Sequence, residues 1–122
     1  MKRDMDLIRE ILQLVESCES AYGIQEMPEI HGYDSATVSY QVRILRQANL
    51  IEAEPIEECG RGYTDYYGIN LTWTGQDFLS AVKDDTIWQK AKDTVLKPTA
   101  SFTFSVLLEW LKTEAKTKLG LP

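Results

Sequence analysis

Apolar residues recur at helical spacing near the start of the chain: Leu7, Ile8, Ile11, Leu12, Leu14, Val15 and Cys18. That recurrence predicts an amphipathic helix over residues 4–19. Asp4 and Asp6 fall in its first turn, where the positive end of the helix dipole favours carboxylates. Gly23, Pro28 and Gly32 then break the pattern, and residues 27–31 read as a short extended piece, because the residue before a proline avoids helical backbone. A second helix follows over residues 36–48, capped by Asp34 or Ser35, with Val38, Val42, Leu45 and Ala48 on one face. Residues 50–57 predict a strand whose Pro55 suits an edge position. Gly60 and Gly62 mark a hairpin tip, and residues 66–73, rich in aromatic and β-branched side chains, return as the second strand.

Thr74 opens a third helix carrying Phe78, Leu79 and Val82. The Asp84-Asp85 pair stops it, and Asp85 is expected to cap a further helix over residues 86–96 with Ile87, Trp88, Ala91 and Val95 on its buried side. Lys97-Pro98 closes that segment. A last helix starts near Ser101 and places Phe104, Leu107, Leu108, Leu111 and Ala115 at core spacing. The expected fold class is α+β, mostly helical: one domain over residues 1–122, with a C-terminal helical extension over about 76–119. Helix, extended piece, helix and two-stranded hairpin in that order is the winged-helix arrangement, the hairpin being the wing.

Three stretches carry a family resemblance: MKRDMDLIREIL (residues 1–12), GYDSATVSYQVRILRQANLIEAE (32–54) and LTWTGQDFLSAVKDDTIWQKAK (71–92). Together they resemble the YjcQ-like family of bacterial and phage proteins, which implies a winged-helix fold and leaves activity open. The second stretch also resembles the recognition-helix segment of bacterial winged-helix regulators, with Val38, Val42, Leu45 and Leu50 at the core positions. Asn49 stands where many such proteins have glycine, and asparagine tolerates the left-handed backbone at a helix end. The third stretch resembles the LT-x-x-G continuation found after the wing. One departure is clear: residues 20–34 leave little room for the helix that crosses the DNA backbone in a full helix-turn-helix.

Charge changes the functional picture more than composition does. The chain is 43% hydrophobic and carries a net charge of −6. Residues 51–75 hold one base, Arg61, against five acids, whereas no acid lies between Ser35 and Ala48. No apolar run is long enough for a transmembrane helix and no leader-like apolar region follows the basic N-terminus, so a cytoplasmic protein is expected. Cys18 and Cys59 lack metal or redox spacing and read as idle thiols. His31, the one histidine, reads as a loop residue, and no cluster with metal-ligand spacing or catalytic orientation stands out. No catalytic residue, metal or cofactor is expected.

Two functions remain open. In the first, a DNA-binding protein, such as a transcriptional regulator, would read double-stranded DNA with Thr37, Ser39, Tyr40, Arg43 and Gln47 on the exposed face of the second helix. Arg46 would point toward phosphate and Arg61 would sit at the wing tip. Duplex binders neutralise ~6–10 phosphates, and two helix arginines fall short of that. A homodimer through the last helix would double the contacts. That helix, lysine-rich on its outer side, could also lie on a membrane surface, but packing explains it better, so no membrane partner is expected. In the second function, the acidic domain engages a basic protein surface and binds no nucleic acid.

Overall fold

The apolar stripe near the N-terminus forms α1 (Met5–Ser17), whose Leu7, Ile8, Ile11, Leu12 and Val15 are buried. Asp4 caps it, its carboxylate accepting the Leu7 N–H at 3.1 Å. Leu14 sits at the edge of the stripe and is exposed. The computed structural model describes residues 1–57, 60–97 and 103–122. Cys59, Glu58, Pro98 and Ser101 lie outside the described residues. Among the described residues the fold is α+β and mostly helical: α1, α2 (Ser35–Gln47), β1 (Ile51–Ile56), β2 (Asp65–Leu71), α3 (Trp73–Val82), α4 (Asp85–Thr94) and α5 (Phe104–Lys118). The chain divides into two compact units, Met1–Asp77 and Phe78–Pro122.

In the first unit, α1 packs on α2 and β2, and α2 packs on both strands. The end of α2 shows why asparagine stands where glycine is usual. Asn49 takes the left-handed backbone (φ 60), the Leu50 N–H reaches the Leu45 carbonyl at 3.0 Å, and the Asn49 N–H reaches that of Arg46 at 3.0 Å. Those two bonds make a Schellman cap, and its usual apolar contact is supplied by Leu45 and Leu50, both buried. Ala48 belongs to this cap and is exposed, rather than on the buried face its spacing predicts.

β1 and β2 pair antiparallel, from Ile51 opposite Leu71 to Ile56 opposite Asp65, with a register shift between Glu52 and Glu54. The extra residue lies on β2 around Gly68, whose positive φ of 61 is typical of a bulge. Beyond it Ile69 exchanges two 3.0 Å backbone hydrogen bonds with Ile24. The extended contact before α2 thus falls at Ile24, earlier than residues 27–31. Gly23 permits it: a Cβ there would lie 2.5 Å from the Ile69 carbonyl oxygen.

Thr72 explains the LT-x-x-G pattern. Its hydroxyl accepts the Gly75 N–H at 3.0 Å, capping α3, and donates to the Asn49 carbonyl at 2.7 Å. The turn is so tight that a Cβ on Gly75 would come within 1.9 Å of the Leu50 carbonyl oxygen.

In the second unit Phe78, Leu79, Val82, Trp88, Ala91, Leu107 and Leu111 are buried, and the Phe78 and Phe104 rings lie 5.2 Å apart. Asp84, not Asp85, caps α4: the helix starts one residue early, so the Asp84 carboxylate accepts the Ile87 N–H at 2.9 Å. That bond, then Lys118 at 3.0 Å, holds the Asp84 carboxyl below its ordinary value. A second ion pair joins α4 to α5, Lys90 with Glu114 at 3.0 Å. α5 is capped by Thr103, and Ala115, expected in the core, is exposed.

Candidate nucleic-acid interface

α2 is the helix on which the sequence places its binding residues, and its surroundings decide which of them face outward. α1 covers one side and the hairpin another, so the buried arc is wide: Val38, Ser39, Gln41, Val42 and Leu45. Ser39 is therefore buried rather than outward-facing, and its hydroxyl donates to the Thr64 carbonyl at 2.5 Å. This bond ties α2 to the hairpin loop. Thr37 is half-buried, and its hydroxyl and N–H both bond the Asp34 carboxylate, the N–H at 2.8 Å. The two contacts hold the Asp34 carboxyl below its ordinary value, the hydroxyl contributing most.

The remaining α2 residues stay outward. Arg43, Arg46 and Gln47 are exposed and Tyr40 is half-buried. Tyr40, Arg43 and Gln47 follow one another at helical spacing, so they line one strip. Among the described residues neither Arg43 nor Arg46 is ion-paired. Arg61 differs: it is exposed at the hairpin tip but bonds the Asp65 carboxylate at 2.6 Å. Its charge is therefore partly offset.

Gln41 carries a role that the sequence reading missed. It is 1% exposed, and its amide accepts the Asp4 N–H at 2.9 Å and donates to the Lys2 carbonyl at 3.0 Å. The N-terminal residues are thereby fastened to α2. The available signal was a polar residue inside the apolar stripe, three positions after Val38 and four before Leu45. Tyr63 is a second residue whose place here the sequence reading does not assign. It lines an open groove of about 430 Å³ with Met1, Ala36, Tyr40, Arg43 and Gly62.

Two of the hairpin's acids, Glu52 and Glu54, lie elsewhere. Along β1, Ile51 and Ala53 are buried while Glu52 and Glu54 are exposed, so strand alternation turns both glutamates to the sheet face away from α2. Tyr67, paired opposite Glu54, is exposed on the same face. Of the other aromatics, Trp88 and Tyr66 are buried, Trp110 is half-buried and Trp73 is 85% exposed. His31 is exposed, and Cys18 is a free, half-buried thiol. Among the described residues no group of three His, Cys, Asp or Glu side chains could hold a metal ion. No helix there is long and apolar enough to cross a membrane.

The family described as Hypothetical protein (DUF2513) matches residues 2–101. A Haemophilus influenzae protein named "Uncharacterized protein" is 35% identical over 125 residues, covering 96% of this chain and 94% of its own length. No solved structure matches. The family match takes in the whole of α1, α2, the hairpin, α3 and α4, the segments that build and flank the interface, and on that span the chain belongs to the DUF2513 family.

Proposed function

We propose that residues 1–77 form a winged-helix module that binds DNA through the outer strip of α2. The reading is of a binding protein, such as a bacterial or phage regulator, and not of an enzyme. The order α1, Ile24 bridge, α2, β1, β2 supports it, as does the YjcQ-like resemblance. In this topology the short segment before α2 pairs with the second hairpin strand, as Ile24 does with Ile69. The departure is also present: residues 25–34 contain no helix to cross the DNA backbone.

The observation that carries the proposal is the acid-free outer strip of α2, with Arg43 and Arg46 unpaired among the described residues and Gln47 exposed beside them. Arginine suits a guanine edge or a phosphate, and glutamine suits an adenine edge. Gel retardation at low salt tests it. Wild-type protein retards DNA, added salt weakens the complex, and Arg43→Glu abolishes it; absence of any retarded species sinks the proposal.

A second reading follows from the acids. Residues 1–77 carry six Lys and Arg against fourteen Asp and Glu. Glu52, Glu54 and Tyr67 form an exposed face suited to a basic protein surface. It predicts a salt-sensitive complex with a basic protein, weakened by Glu52→Lys and Glu54→Lys while Arg43→Glu leaves it intact.

A further inference from the structure

The groove between α2 and the hairpin is lined by Arg43 and two half-buried tyrosines, Tyr40 and Tyr63, and by no carboxylate among the described residues. In a unit with fourteen acids that composition stands out. Its width is set by the Ser39–Thr64 hydrogen bond, which joins its two walls, and Gly62 leaves its rim without a side chain. At about 430 Å³ it falls in the ~300–1,000 Å³ range of small-ligand sites. We infer that this groove seats an unpaired base, so that the DNA recognised is single-stranded or locally opened rather than intact duplex.

This inference rests on the DNA-binding reading and names its substrate class. Duplex affinity comes largely from neutralised phosphates, ~6–10 of them in ordinary binders, and α2 offers two arginines on an acidic unit. Base stacking on aromatic rings is attractive whatever the net charge and tolerates any base. Two tyrosines beside one arginine therefore suit a splayed base and its phosphate better than a groove of paired DNA. The missing backbone-crossing helix removes a duplex contact and costs a single strand nothing.

Fluorescence anisotropy with the full chain tests this, using a labelled oligothymidine single strand and a labelled blunt duplex at low salt. The single strand binds at least about fivefold tighter, and Tyr40→Ala and Tyr63→Ala each weaken it about tenfold. Tyr63→Phe, which keeps the ring, retains affinity. If an alanine variant fails to fold, Arg43→Gln on an exposed side chain must still reduce the salt-dependence slope by about 0.7. Equal or tighter binding to the duplex, with the tyrosine variants unchanged, overturns the inference and leaves the α2 reading standing. Binding to neither probe overturns both.

Discussion

Single residues at the junction of α2, β1 and α3 are held by backbone contacts that leave little room for change. Gly75 is the strictest. A methyl group there would overlap the Leu50 carbonyl oxygen at 1.9 Å, so Gly75→Ala must push the α3 start away from the α2 turn. The expected loss is about 1–3 kcal/mol, the range of overpacking, read as a drop in urea midpoint at unchanged slope. Asn49 is milder. Its left-handed backbone costs an ordinary L-residue about 1–2 kcal/mol, which asparagine partly avoids. Asn49→Ala should therefore destabilise, and Asn49→Gly should match or exceed wild type in the same titration. Both positions were readable in part from sequence, through the apolar exit from α2 and the LT-x-x-G spacing. What the spacing withheld was the reason for the glycine, because a backbone oxygen 25 residues away in numbering has no sequence signature.

At the scale of elements, the capping aspartates make a pH-dependent contribution with a definite sign. Asp34 and Asp84 have folded values lowered from the ordinary 3.8 by hydrogen bonds at the starts of α2 and α4. A lowered carboxyl stabilises the fold above the unfolded value and loses that contribution as pH falls through the folded one. Helix content followed by circular dichroism should thus decline below about pH 4, and Asp34→Asn, which caps without titrating, should flatten part of that decline. The hairpin depends on α2 through Ser39. Ser39→Ala orphans the Thr64 carbonyl, costs about 0.5–1.5 kcal/mol, and should speed hydrogen exchange in residues 60–66 more than in α1. Helix and strand positions were legible from periodicity, as α1, α2 and the hairpin show. The roles of Ser39 and Thr37 were not. A helix covered on two sides buries more than its apolar stripe, and only the packing of both α1 and the hairpin shows that the Ser39 hydroxyl faces inward, while Thr37 turns to the Asp34 cap.

For the molecule as a whole, the balance of charge against the α2 strip decides the functional reading. Two exposed arginines on an acidic unit predict weak duplex binding by a single copy, in or above the ~10⁻⁴–10⁻⁶ M range of non-specific complexes at physiological salt. A homodimer through α5, where Val106 is exposed, would tighten it; light scattering should then give twice 13.9 kDa, and a monomer at high concentration removes that route. The central claim is that nucleic acid meets the protein on α2 and the hairpin loop rather than on the acidic sheet face. Amide chemical-shift mapping during titration with single-stranded DNA addresses it directly. The account predicts shifts gathered at Tyr40, Arg43, Arg46, Gln47 and Tyr63, with Glu52, Glu54 and Tyr67 still. Shifts centred on those last three, or no shifts anywhere, would contradict it.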